Sequence, residues 1–207
     1  MSTTGTIIDD AAAGRAKLEG LTVKQYHALI ESGLLPTNLR TELIDGFIVR
    51  KDRSHVGEDP MTIGDRHVLV VNRIVRLAEK FDHHNCFLQS QQPVVIPPNH
   101  EPEPDASVIA GTLEDYTAKP RAKNVLSVIE VCDNSLSYDL SRKLQIYAAA
   151  RIPQYVVVDL IHDVVIVHEK PKGKAYGSTK ELRGNEMLRI SAGSGTSVAV
   201  SVEALLG

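Results

Sequence analysis

Two acids and one amine in this sequence have the types and spacing for work on a phosphate. Asp105 follows Pro104 at the start of DASVIA, and Glu130 stands near the end of VLSVIEV. An isolated ionised group inside a buried strand is costly, so acids placed there need an account. Two carboxylates at neighbouring strand ends can share one hard divalent cation. Such a cation polarises a phosphoryl group and generates hydroxide from bound water. Lys143, one helical turn after Asp139, would orient that water or offset charge growing on phosphate oxygens. Each residue also has a plainer reading. Asp105 reads as a solvated rim acid, and Lys143 as the i,i+4 partner of Asp139 on a helix surface. Glu130 is harder to dismiss, because its flanks are apolar on both sides.

The elements that must position these groups follow from periodicity. Thr22 and Gln25 form a capping box ahead of a helix whose Val23, Tyr26, Leu29 and Ile30 share a face, with Gly33 at its end. In TELIDGFIVR (41–50), Asp45-Gly46 is a two-residue hairpin turn. Residues 51–63 are polar and irregular. A second helix is expected from Asp65 to Phe81, with Val68, Val71, Ile74, Val75 and Ala78 as its apolar stripe. Strand signals follow at Phe87–Gln91, Pro93–Ile96, Ala106–Ile109 and Val125–Val131, the last apolar enough to be buried on both faces. A helix fits Tyr138 to Ala150, with Leu140, Leu144, Tyr147 and Ala148 inward and Pro153 as its breaker. Tyr155–Leu160 is a buried strand, and Val164–His168 pairs with Lys174–Leu182. Ser197–Val200 precedes a short terminal helix. This is α/β order around a mixed sheet.

Composition removes several function classes. The 207 residues suit one domain. A hydrophobic share of 43% excludes disorder over the whole length. A formal charge of -3 argues against a broadly basic nucleic-acid coat, though not against local contact. Any such contact should weaken with salt. It would fall to basic side chains such as Arg66, Arg73, Arg142 and Lys143, or these are ordinary solvated helix charges. Trp is absent and aromatic residues are 4%, so stacking platforms for single strands are not expected. Cys86 and Cys132 read as free thiols in a reducing cytoplasm. No membrane span or secretory signal is expected.

Weaker candidates have structural readings. His67 lies beside the apolar face of its helix, suited to packing or to phosphate contact. The adjacent His83 and His84 do not share a side, so zinc is not expected. His55, His162 and His168 lack ligand spacing, and Asp159 suits a turn cap. Tyr147 reads as core, and Cys132 has no identifiable histidine partner.

Five stretches resemble the Uma2 family (also called DUF820), grouped with the PD-(D/E)XK nucleases. They are LTVKQYHAL with TELIDGFIV, IGDRHVLVVNRIVRLA, EPEPDASVI, SVIEVCDNSLSYDLSRKLQIYAAARIPQYVVVDL and SVAVSVEALLG. They span residues 21–207 and leave 1–20 as a loose N-terminal arm. The resemblance implies an α/β, restriction-endonuclease-like fold: a mixed β-sheet flanked by helices, with the site at one sheet end. It implies metal ligation by Asp105 and Glu130. Glu42 of TELIDG would join the metal shell or support it, and Lys143 would be the lysine of a D-x-x-x-K-x-x-x-Y run. His67 matches a family histidine. The wider superfamily's lysine stands two residues after the second acid, where this chain has Cys132. The implied function is a Mg²⁺- or Mn²⁺-dependent endonuclease acting on DNA; cutting two strands commonly uses paired sites, so a homodimer is expected. The alternative is a non-catalytic protein of the same fold that binds nucleic acid or another partner. A hydrolase for a small phosphorylated molecule ranks last.

Overall fold

The computed structural model describes residues 7–35, 40–50, 64–133 and 139–207. The arm carries one short helix, α1 (Ile7–Ala12). Thr22 then starts α2 (Val23–Glu31) through the capping box that its spacing predicts. The Thr22 hydroxyl accepts from the Gln25 amide at 3.3 Å, and Gln25 Oε1 accepts from the Thr22 amide at 2.8 Å. The hairpin β1 (Thr41–Ile44) and β2 (Phe47–Arg50) turns through Asp45 at φ 55° and Gly46 at φ 80°. Positive φ at both central residues is what a tight hairpin of the right-handed twist requires. Gly46 is needed twice over, since a Cβ there would lie 2.6 Å from the Gly20 Cα where the two segments cross. The polar stretch 51–63, with His55, lies outside the described residues.

The helix expected from Asp65 to Phe81 forms as two pieces, α3 (Asp65–Val75) and α4 (Ala78–Asp82). Its inward face also differs from expectation. His67, Val70, Val71 and Ile74 are buried, whereas Val68 is 41% and Val75 38% exposed. A polar His67 takes the first core-facing position, and counting apolar residues alone shifts the stripe by one.

A six-stranded sheet follows. Its strands are β3 (Cys86–Ser90), β4 (Ala106–Ala110), β5 (Val125–Cys132), β6 (Gln154–Asp159), β7 (Val164–Lys172) and β8 (Ala175–Leu182), in that spatial order. Only β5 and β6 pair in parallel, joined by a crossover; the other neighbours are antiparallel. Within the crossover, Asp139–Lys143 winds as a π-helical turn that leads into α5 (Leu144–Ala149). Tyr138 and the side chains of Asp139 and Leu140 lie outside the described residues, so the Asp139–Lys143 pairing does too. The expected strand Pro93–Ile96 is reduced to isolated bridges at Val95 and Ile96. A hairpin of β9 (Met187–Gly193) and β10 (Thr196–Ser201) precedes α6 (Val202–Leu206). Strand β9 was not expected, although its buried Leu188, Ile190 and Ala192 alternate with period two.

The sheet separates two cores. On one face α3, α4, the β9–β10 hairpin and α6 pack on Ile129 and Val131 of β5. On the other, Ile146 and Tyr147 of α5, with Ile44 and Val94, pack on Val128 and Cys132. Strand alternation therefore sends the Glu130 side chain into the second core.

Candidate active site at the sheet end

Asp105 and Glu130 meet where β4 begins and β5 ends. The ladder pairs Ala106 with Ile129, so its next step sets Asp105 opposite Glu130. Asp105 Oδ2 accepts the Val131 amide at 2.8 Å, and the Asp105 carbonyl accepts the Ser90 hydroxyl at 2.9 Å. The carboxylate is thereby fixed to the end of β5. From the α3 side, His67 Nε2 lies 3.3 Å from Asp105 Oδ2. His67 is buried, and its Nδ1 finds no hydrogen-bond partner among the described residues.

Glu130 is held from the opposite layer. Lys143 Nζ donates to Glu130 Oε1 at 2.8 Å, and the Tyr147 hydroxyl donates to the same oxygen at 3.0 Å. Lys143 and Tyr147 are four residues apart, so the turn entering α5 brings both over one spot. Burial, and next the charge of Glu130, push the Tyr147 phenol well above its ordinary range, so it stays protonated and donates. Glu42 on β1 completes the group, with Oε1 3.8 Å from Lys143 Nζ and 2.7 Å from the Glu103 amide it accepts. The hairpin reaches this point because Leu43 and Glu101 exchange both backbone hydrogen bonds.

Glu42, Glu130 and Lys143 are all under a tenth exposed. Withdrawing such ions from water costs several kcal/mol apiece, offset only by close pairing and hydrogen bonds. Two carboxylates, Glu42 and Glu130, lie within ion-pair distance of the one Lys143 ammonium. Among the described residues no three His, Cys, Asp or Glu side chains converge as a ready-made metal cage. Two carboxylates with room for water and a phosphate are the usual protein share of a Mg²⁺ site.

The fold thus assembles Glu42, Glu130 and Lys143 as one cluster and brings Asp105 to its edge. Of the basic residues expected to face phosphate, the three arginines all have partners within the fold. Arg73 bonds the carbonyls of Leu205 and Leu206 at the end of α6, and Arg142 pairs with Asp45 in the hairpin turn. Arg66 bonds the Leu160 carbonyl and pairs with Asp163. Two contributors were read chiefly as packing, His67 and Tyr147. The signal for Tyr147 was its i,i+4 spacing from Lys143; for His67 it was a polar residue in register with an apolar stripe. Cys132 is buried and points into the second core. The acid Asp159 caps its turn as expected, accepting the amides of Ile161 and His162. His83 and His84 are exposed.

The six-stranded mixed sheet flanked by helices is a restriction-endonuclease-like α/β fold. Residues 23–202 match the Uma2 family, described as "putative restriction endonuclease", and the chain belongs to that family. A similar solved structure is a DUF820 protein from Anabaena variabilis, titled a putative nuclease. It has a TM-score of 0.65 and 16% identity, over 86% of this chain and 96% of that one. No functionally curated protein matches the chain. No helix among the described residues is long and apolar enough to cross a membrane.

Proposed function

We propose that the protein is a Mg²⁺- or Mn²⁺-dependent endonuclease that hydrolyses phosphodiester bonds in DNA. The supporting observation is the Lys143–Glu130 contact of 2.8 Å beside Asp105, which is itself fixed to the next residue of β5. The donor set suits a hard dication: oxygen ligands from Asp105 and Glu130, and an excess of carboxylate over ammonium charge. When bound, the ion polarises the phosphoryl group and makes a water more acidic.

The chain's own residues do the rest. Asp105 is oriented by the Val131 amide and His67, and Glu130 by Lys143 and Tyr147. Glu42 holds Lys143 on one side and the Glu103 backbone on the other, so its role is to place the lysine and the segment that carries Asp105. The Lys143 ammonium offsets negative charge on a phosphate seated at the carboxylates. Its long stem brings the ammonium to Glu130 from the helix, in a chain that has cysteine rather than lysine at position 132.

The test is DNA cleavage with Mg²⁺ or Mn²⁺, comparing wild type with Asp105→Ala and Glu130→Ala. Each substitution should lower the rate by about a hundredfold or more. Cleavage that survives both overturns the assignment. A calorimetric titration that finds no metal binding at millimolar concentration instead favours a non-catalytic nucleic-acid-binding protein.

A further inference from the structure

A second anchored group lies on the same end of the sheet. Strand β6 runs parallel to β5 with Cys132 opposite Asp159, so Asp159 emerges at the edge where Glu130 sits. One strand spacing and two residues of rise separate their Cα atoms by roughly 8 Å. Asp159 is only 2% exposed, and its Oδ1 accepts the amides of Ile161 and His162 at 2.9 and 3.1 Å. Its Oδ2 lies 2.6 Å from His162 Nδ1. The carboxylate is therefore fixed by backbone, and it fixes the imidazole in turn. The His162 side chain is nevertheless 61% exposed, with Nε2 on the ring edge away from Asp159.

Two guanidiniums brace the same turn. Arg66 donates to the Leu160 carbonyl and Arg183 to the His162 carbonyl, while Asp163 and Glu181 pair with them. Arg66 immediately precedes His67, whose ring meets Asp105. The turn at 160–163 and the acids at the sheet end are thus joined through one helical residue pair. A turn needs only the Asp159 cap to hold its shape. A buried acid that also orients an exposed imidazole is more than turn closure demands.

We propose that His162 contacts a backbone phosphate neighbouring the one at Asp105 and Glu130, with Asp159 as its positioning residue and Arg66 beside it. Held at Nδ1 by Asp159, the ring presents its exposed Nε2 edge to a phosphate oxygen. A strand that places a phosphate every ~3.4 Å of axis covers the separation within two or three nucleotides. The acids Asp163 and Glu181 keep the rim's total charge low, so the contact is local rather than part of a basic field. This assignment rests on the nucleic-acid reading of the site and names a substrate contact within it.

The experiment measures binding of a fluorescein-labelled DNA oligonucleotide in EDTA by anisotropy, with thermal melting as the folding control. His162→Ala should weaken binding about tenfold and melt as wild type does, because the Asp159 cap survives. His162→Arg should restore most of the affinity, as a loss caused only by the turn's structure would not. His83→Ala, at the far end of the sheet, should bind as wild type. Equal binding by wild type and His162→Ala overturns the inference, as does failure of the arginine to restore it, or absence of DNA binding by wild type. Cleavage is scored separately. Weakened binding in His162→Ala with an inert wild type keeps this contact and removes the phosphodiesterase reading; cleavage with unchanged binding does the reverse.

Discussion

The two ends of β5 and β6 both bury polar side chains, yet they solve the problem differently. At the start of these strands the groups are mostly neutral and close on one another. Gln154 Oε1 accepts from the Ser127 hydroxyl and the Ser191 amide, each at 2.9 Å. Its Nε2 donates to the Arg189 carbonyl and to Glu169. That network stitches β9 to the sheet and uses each group for a partner already in the fold. At the other end, Glu42, Glu130 and Lys143 are charged and crowd into a small volume with acids in excess. Neutral amides would have closed that end at lower cost, because they avoid ion desolvation. The contrast teaches that burial of polarity alone does not mark a site. Burial of charge at a strand end, where a neutral network was available to the same fold, does.

Removing the amine should break this contrast most strongly. Lys143→Met leaves Glu130 and Glu42 facing each other without their shared cation, a loss of about 3–5 kcal/mol. Urea unfolding reads it, and cleavage should be abolished with it. Stability within about 1 kcal/mol of wild type would mean that the cluster is not a tightly coupled ion group.

At the neutral end, Gln154→Leu strands the Ser191 amide and the Ser127 hydroxyl and should cost about 2–3 kcal/mol. DNA cleavage per folded molecule should not change. A selective loss of activity would erase the functional distinction between the two ends.

Tyr147→Phe sharpens the charged end alone. Glu130 keeps Lys143 but loses a hydroxyl, so stability should fall by about 1–2 kcal/mol. Cleavage should slow by about tenfold as the carboxylate loosens.

The smallest effect concerns acid. Burial holds the His168 imidazole below its ordinary value of 6.5, and the ring stacks against Tyr155 with Nδ1 on the Thr179 hydroxyl. The unfolded chain therefore binds this proton more readily than the folded one. The stability due to a neutral His168 is fully present above pH 6.5 and declines as pH falls through and below it. His168→Phe should flatten that decline when urea midpoints are compared at neutral and mildly acid pH. His100, also lowered by burial, adds the same sign and remains in the variant. An unchanged slope would show that His168 does not carry the acid response.

Much of this arrangement is legible in the residues. Thr22-x-x-Gln25 and Asp45-Gly46 specify their elements locally, because capping and turn chemistry act over four residues or fewer. VLSVIEV and YVVVDL announce central strands by apolar runs that only two-sided burial accommodates. The inward face of α3 was misassigned by one position, since His67 counts as polar and yet faces Asp105. The strand β9 alternates regularly, with Arg189 and Ser191 between the buried Leu188, Ile190 and Ala192, but that signal rests on only three inward residues, one of them a small alanine. Membership of the Uma2 family was legible too, through the resemblance of EPEPDASVI, SVIEV and the D-x-x-x-K-x-x-x-Y run to that family's stretches.

By itself, then, the sequence determined the element types, the central strands and the identities of Asp105, Glu130 and Lys143 as residues needing an account, with Glu42 added by the family resemblance alone. Those follow from local geometry and from the cost of charge in apolar strands. Only the tertiary structure decided their company. Lys143 lies on Glu130 rather than being defined by its surface neighbour, Arg73 and Arg142 are spent on α6 and the hairpin, and the Asp159–His162 pair comes out at the same sheet end. These are contacts between strands and layers far apart in the chain. Their energies depend on distance and burial in three dimensions, which no spacing along one dimension encodes.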